Sequence, residues 1–400
     1  MIIRERYLAQ LKSKRGNRMI KIITGIRRSG KSVLLFDQYQ SFLRTIASEN
    51  HIIAVRLDFE ANRIYRESHQ LLQYLKSFIQ DDKPYYILLD EIQLVDHFAD
   101  ILNELNALPN IDLYVTGSNS KMLSSDIETQ FRGRGDVLRV FPLSFSEFHG
   151  WAKGTPQADF NTYLYFGGMP NLVTLQGPSN QAKYLKDLYL SVYRNDIIER
   201  YRLRKIDVLD RMFDLLCSSV GSLTSSTSIE KALRGKYDTP ITDDTIKQYL
   251  DYFRDAFLFE KINRYDVRGK AYLKTLHKYF CVDVGLRNAW GNFREMEIPH
   301  LIENIVCIEL LSRGYNVDIG VNGQKEIDFV ATLGPRSVYI QIAAQFPDQA
   351  KIDSELLSFT GLGPSSERVV LTLDENPFLA FGNSAKKINL IDFLLDETLL

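Results

Sequence analysis

Residues 19–40 read MIKIITGIRRSGKSVLLFDQYQ, and the order of their parts decides the fold. An apolar run, MIKIIT, stops at a glycine. Gly25-Ile26-Arg27-Arg28-Ser29-Gly30-Lys31-Ser32 then fits G-x-x-x-x-G-K-[ST], and a helix opens at Val33. The glycines let the backbone curl so that its N–H groups face phosphate oxygens, and the helix start adds partial positive charge. A phosphate-binding stretch over Gly25–Val33 is expected. Lys31 is expected to reach the β- and γ-phosphates and the Ser32 hydroxyl to ligate Mg²⁺. Arg27 and Arg28 have two readings each, a local salt bridge or a contact with a partner.

Outward from this loop, short apolar strands alternate with amphipathic helices, the pattern of an α/β parallel sheet covered by helices. Strands are expected at 19–24, 52–58, 85–90, 111–117 and 136–141, with helices at 31–47, 68–80 and 97–108. The strand YYILLD ends in Asp90 and Glu91. Asp90 suits a magnesium contact and Glu91 suits polarising an attacking water. The strand IDLYVTG runs into Ser118-Asn119-Ser120, where Asn119 could position water or simply cap a turn. Phe131-Arg132-Gly133-Arg134-Gly135 offers Arg132 and Arg134 as arginine fingers in trans within a homo-oligomer, or as a basic turn. The sequence lacks a clear N-K-x-D guanine-reading element, which favours ATP.

The chain has 400 residues, 45% hydrophobic and 25% charged, enough for about two to four domains with proper cores. That composition excludes a disordered protein. No apolar run approaches the roughly 18 residues of a membrane span, and no signal peptide is evident. Cys217, Cys281 and Cys307 match neither a disulfide framework nor a metal spacing, and the six histidines form no metal set. A cytoplasmic protein with no membrane partner is expected. The net charge is -1, unlike a dedicated nucleic-acid binder. Residues 1–21 nonetheless carry Arg4, Arg6, Lys12, Lys14, Arg15, Arg18 and Lys21 against Glu5 alone, either a basic face for phosphates or a solvated helix.

Four regions are expected: an AAA-like core at 1–150, a helical lid at 151–205, a winged-helix-like domain at 206–290 and a separate α/β domain at 291–400. In the third, helices at Asp207–Ser218, Ser228–Leu233 and Thr242–Phe253 precede a hairpin of LFEKINRY and KAYLKTLHKYFCVD. Thr245, Lys247 and Gln248 on its last helix, with Arg264, Arg268 and Lys270 near the wing, could read DNA. Asp243 and Asp244 at that helix start would repel phosphate, and winged helices also dock proteins.

The ordered set GIRRSGKS, ILLDEIQ, VTGSNS, FRGRG, FPLSFSEF, FGGMP, KYFCVDVGLRNA, LIENIVCIELLSRGYNV, KEIDFVAT and YIQIAA spans nearly the whole chain. It resembles the bacterial and archaeal AAA-type ATPases fused to a C-terminal domain of unknown function. The resemblance implies that Lys31 and Ser32 bind nucleotide and Mg²⁺, that Asp90 and Glu91 form the Walker B pair, and that Asn119 sits at sensor 1. It also implies a C-terminal PD-(D/E)xK nuclease-like fold. Glu303 and Asp328 match its acidic positions, but Gln341 and Ala343 stand where its strand needs an acid and a lysine. Lys325 could replace one of these, not both, so nuclease chemistry is expected to be lost.

ATP binding and hydrolysis with Mg²⁺, driving or switching domains that meet DNA or a protein, is the leading expectation. A nucleotide-gated scaffold with little turnover is the alternative, and a metal-dependent nuclease a third.

Overall fold

The computed structural model describes residues 2–118, 131, 133–204, 206–237, 241–294, 297–375 and 385–400. It divides into two units. The first spans residues 1–141 with 255–257, and the second spans 142–254 with 258–400.

The first unit is built on five parallel strands. They are β1 (Ile20–Thr24), β2 (Ile52–Arg56), β3 (Tyr85–Asp90), β4 (Ile111–Gly117) and β5 (Gly135–Arg139), in the order β2-β3-β4-β1-β5. All five match the expected strands to within one or two residues. β1, β3 and β4 are buried along their whole lengths, as sheets covered on both faces require. Alternate residues enter two separate cores. Ile20, Ile22, Tyr85, Ile87, Leu89, Leu113 and Val115 face one, packed with Leu71, Leu75, Ile101 and Leu105. Ile23, Tyr86, Leu88 and Tyr114 face the other, with Leu34, Leu35, Tyr39 and Leu43. Each such apolar side chain stabilises by about 1.5–3 kcal/mol on full burial, so neither face is spare.

The helix after the loop is wound as a π-helix over Val33–Tyr39 and as an α-helix over Gln40–Leu43, shorter than the expected 31–47. The N-terminal helix Glu5–Ser13 buries Tyr7, Leu8 and Leu11 in the second core. Much of the N-terminal positive charge is consumed internally. Lys14 pairs with Asp136, Lys21 pairs with the buried Asp112, and Arg15 donates to the Tyr86 hydroxyl at 3.0 Å. These partners correct the reading of residues 1–21 as an open basic face.

The second unit begins with the helix Phe145–Ala152, started by a reciprocal cap between Ser144 and Glu147. Helices follow at Pro156–Phe166, Pro178–Ser191 continuing through Val192–Glu199, Ile206–Ser218, Ser226–Tyr237 and Asp243–Asp255. Strands β6 (Phe259–Asp266) and β7 (Ala271–Cys281) form the expected hairpin. The helix Ile298–Ser312 leads into β8 (Asn316–Asn322), β9 (Lys325–Leu333) and β10 (Arg336–Ala343). The helix Gln349–Leu356 then precedes β11 (Glu367–Thr372) and β12 (Lys386–Asn389).

Here the structure departs from the expected boundaries. β6 pairs in parallel with β8 through Arg264↔Ile319 and Tyr265↔Gly320, so one seven-stranded sheet runs β12-β11-β10-β9-β8-β6-β7. The hairpin is therefore the flank of the C-terminal sheet rather than the wing of a separate domain, because the outer edge of β6 finds its ladder partner in β8. The 151–205 helices join the same unit. Gly168 N–H donates to Asp283 Oδ2 at 2.7 Å, and Asn288 Nδ2 donates to the Leu164 and Tyr165 carbonyls at 3.0 Å each. A Cβ on Gly168 would overlap the Leu143 carbonyl oxygen, which explains the paired glycines of FGGMP. The break before the second unit falls at Pro142, ahead of the expected 150. Finally, KKINLIDFL is a strand only to Asn389. The Asn389 side chain accepts from the N–H of Ile391 at 2.8 Å and caps the helix Leu390–Leu395.

Candidate functional site

β1 lies between β4 and β5, so the strand order reverses across it and the loop Gly25–Ser32 opens at the carboxyl ends of the strands. Ligands of open α/β sheets bind at that point. Gly25 and Gly30 adopt φ of 141° and 96°, and Arg28 adopts φ of 65°. A Cβ at Gly25 would overlap the Val140 carbonyl oxygen, so no other residue fits there. Lys31 is buried, and its ammonium donates to the carbonyls of Gly25 at 2.9 Å and Ile26 at 3.0 Å. Among the described residues, the buried Ser29 hydroxyl has no hydrogen-bond partner, nor has the Thr24 hydroxyl directly before the loop. A tight cradle with an orphaned buried hydroxyl and a lysine at its mouth fits phosphate oxygens.

The second element is the end of β3. Ser32 Oγ donates to Asp90 Oδ1 at 3.1 Å, joining the loop to the strand across 58 residues of sequence. The Thr116 hydroxyl, on β4 between them, donates to the same oxygen. Burial raises the Asp90 pKa above the usual carboxylate range, and the two hydroxyls pull it partly back. Glu91 sits in the left-handed region at φ 51°, and its N–H donates to Thr116 Oγ1 at 2.9 Å. Its carboxylate accepts from Ser118 Oγ at 3.0 Å and from the Gln93 amide. Thr116 thus holds the backbone of one acid and the side chain of the other.

Of the expected site residues, the structure brings Gly25, Ile26, Ser29, Gly30, Lys31, Ser32, Asp90 and Glu91 to one end of the sheet. Arg27, Arg28 and Val33 belong to the same turn and helix start, with Arg28 and Val33 exposed. Asn119 and Arg132 lie outside the described residues. Arg134 is exposed and precedes β5, whose first residue pairs with Ile20 at the start of β1. That is the end of the sheet opposite the loop, so Arg134 does not reach the loop of its own chain.

The sequence reading missed three residues. Thr116 carried a weak signal, a hydroxyl one residue before a strand-end glycine. Gln93 follows the acid pair by two. Arg4 carried none, because it was read as one cation among seven. It is instead 4% exposed and donates to the Ser29 carbonyl at 3.1 Å and the Phe141 carbonyl at 2.9 Å. Gln38 holds the backbone beside it, accepting from Arg4 N–H at 2.9 Å and donating to the Ile2 carbonyl at 2.8 Å. The phosphate loop is therefore braced from beneath by the N-terminal segment.

In the second unit, the residues read as a retired nuclease site do meet. Lys278 of β7 lies 3.4 Å from Glu303 Oε2 and 2.8 Å from Glu326 Oε1. Burial disfavours its ammonium, but the carboxylates of Glu303, Glu326 and Asp328 outweigh that and raise its pKa. Burial drives Asp328 well above its ordinary value, with Glu303 adding to the rise. Gln341 accepts from Asp328 N–H at 2.7 Å and donates to Glu355 at 2.8 Å. Lys325, weighed as the replacement cation, gives way to Lys278 in this cluster. Among the described residues, no group of three or more His, Cys, Asp or Glu is arranged to hold a metal ion.

Comparison with known proteins matches residues 17–149 to an AAA domain and residues 157–297 to a domain of unknown function, DUF8612. The second match runs through the expected boundary at 205. An uncharacterized protein of Haemophilus influenzae is 37% identical over 366 residues, covering 89% of this chain and 90% of its own length. An uncharacterized protein of Methanocaldococcus jannaschii is 26% identical over 349 residues, covering 83% and 76%. Among solved structures, the Aeropyrum pernix ORC1 protein in complex with DNA is similar at 12% identity and a TM-score of 0.27, covering 73% of this chain and 93% of that one. A DNA replication initiation factor is similar at 14% identity and a TM-score of 0.28, covering 62% and 74%. No helix among the described residues is long and apolar enough to cross a membrane.

Proposed function

Since this chain belongs to the same family as the Haemophilus influenzae protein, and its first unit carries the AAA domain, we propose that it binds ATP with Mg²⁺ and hydrolyses it. The observation that carries the reading is the meeting of Ser32, Asp90 and Thr116 at the mouth of the glycine loop, with Glu91 pinned beside them. Gly25–Ser32 receives the phosphates on its N–H groups, and Lys31 exchanges its two carbonyl partners for phosphate oxygens. Ser32 and Asp90 are the pair that would hold Mg²⁺, which supplies neutralising charge to the phosphates when bound. Glu91 orients and polarises the attacking water, accepting its proton. Arg134 contributes only from a neighbouring copy.

Residues 291–400, in the order helix, three antiparallel strands, helix, parallel strand, support the reading of a nuclease-like fold whose chemistry is retired. Lys278 among three carboxylates and the neutral Gln341 argue for structural use of that site. The nucleotide then drives or switches this second unit against DNA or a protein.

One observation favours the low-turnover alternative. The Glu91 carboxylate is engaged by Ser118 and Gln93, which would restrain it from water. The test is ATP binding and turnover by wild type and Lys31→Ala, with and without duplex and single-stranded DNA. Loss of binding in Lys31→Ala, with turnover in the wild type, supports the proposal. Full turnover in Lys31→Ala overturns the site. Tight binding with negligible turnover that Gln93→Ala raises points to the gated scaffold.

A further inference from the structure

The second unit holds a cavity of about 590 Å³ between the helices Ser226–Tyr237 and Asp243–Asp255 and the β6–β7 hairpin. Its charges are unevenly satisfied. The three acids on its wall are neutralised on their own helices: Glu230 by Arg234 at 2.8 Å, Asp243 by Lys247 at 2.5 Å and Asp251 by Arg254 at 2.8 Å. On the hairpin side, the side-chain ammonium groups of Lys261 and Lys274 have no hydrogen bond or ion pair to any described residue. Beside them His277 is fixed by its backbone, which exchanges hydrogen bonds with Thr224 at 2.7 and 2.8 Å. Its ring Nδ1 is nevertheless buried without a partner among the described residues.

Two ammonium groups without a contact partner, with Asp251 acting on Lys261 only from a distance, and an orphaned ring nitrogen on one wall call for an anion rich in acceptor oxygens. We propose that this cavity binds a phosphate group, with Lys261 and Lys274 pairing with its oxygens and His277 Nδ1 donating to one of them. The volume exceeds what a lone phosphate fills and leaves room for an attached sugar or nucleoside, so the ligand is an organic phosphate. The electrostatics agree. Burial, then the nearby cations Lys261, Arg254 and Arg264, push the His277 pKa down to about 4. Burial and Arg254 lower Lys261 against the opposing pull of Asp251. The inference is independent of the ATPase reading, because the cavity lies wholly within the second unit.

The test uses the full chain with ring-labelled histidine, the six resonances being assigned with the help of His277→Gln. Inorganic phosphate is titrated against chloride of matched ionic strength. His277 is expected to respond, with its titration midpoint raised by about one to three pH units as an anion arrives within contact distance. Lys274→Gln, at an exposed position where folding is not at stake, should weaken the response several-fold, and Lys261→Gln/Lys274→Gln should remove it. A short DNA duplex is then added in place of phosphate. The same His277 response at far lower concentration assigns the site to backbone phosphates, and a response to phosphate alone assigns it to a free phosphate ester. An unchanged His277 midpoint in both phosphate and duplex overturns the proposal. So does an undiminished response in the double variant once its melting temperature matches wild type.

Discussion

Asp90 is a buried and Asp328 a partly buried aspartate, both on strands and both with pKa values raised by loss of solvent, yet their surroundings treat the charge in opposite ways. Asp90 is met by two hydroxyls, from Ser32 and Thr116. Hydroxyls rotate and accept as readily as they donate, so they can turn from the carboxylate to another ligand without leaving a charge exposed. Asp328 instead accepts from the Ile342 N–H at 2.7 Å and shares a neighbourhood with Lys278, an ammonium that already compensates Glu303 and Glu326. An aspartate held by neutral donors is poised for exchange. One beside a fixed ammonium is closed. The two units thus carry the same residue type in an exchangeable and in a fixed setting.

The sharpest break of this comparison is catalytic. Glu91→Gln should retain ATP binding and lower turnover by roughly 10²–10⁴-fold, the contribution of a positioned general base, measured by phosphate release. Turnover at the wild-type rate would remove Glu91 from the chemistry.

The next test sets the two acids against each other. Lys278→Met should destabilise the second unit by about 3–5 kcal/mol in urea unfolding, because it strands buried carboxylates without a counter-charge. Adding Glu326→Gln should recover part of that loss. Asp90→Asn should leave the melting temperature unchanged or higher while abolishing Mg²⁺-dependent nucleotide binding, since it removes a buried charge that only neutral groups satisfy. If both aspartate sites respond alike, the distinction between them fails.

A smaller effect is expected from Arg4→Ala. It strips two carbonyls of their donor, costs about 1–3 kcal/mol, and should weaken ATP binding by loosening the Ser29 turn. The smallest is a pH effect. The His277 pKa falls in the folded state, so its contribution to stability is fully present above the unfolded value near 6.5 and is lost as pH falls towards about 4. Melting temperature should decline across that window, and His277→Gln should flatten the decline.

The first unit was largely legible because its signals are local. Short continuous apolar runs and a glycine loop between strand and helix fix β1, β3 and β4 within a few residues of sequence. The acid pair was legible for the same reason. What escaped depends on pairings between distant segments. Nothing in LFEKINRY announces that its edge will pair with YNVDIG some fifty residues later, so the hairpin reads as a wing when it is the flank of a larger sheet. Lys278 reads as an ordinary strand lysine until the fold sets it beside Glu303 and Glu326. Arg4 gave no signal and Thr116 only a weak one, since their partners are the carbonyls of Ser29 and Phe141 and the carboxylate of Asp90, all distant in sequence.

The brace beneath the phosphate loop also imposes an order on how the first unit is assembled. Arg4 grips both the loop at Ser29 and the chain at Phe141, and β1 is flanked by β4 and β5, the last two strands to be made. A nascent chain that has emerged only as far as residue 110 already carries every residue of the glycine loop and both acids. It still lacks the strands on either side of β1 and the carbonyl that anchors Arg4. The brace beneath the loop is therefore complete only once residue 141 has been made, although the motif itself is among the first segments translated.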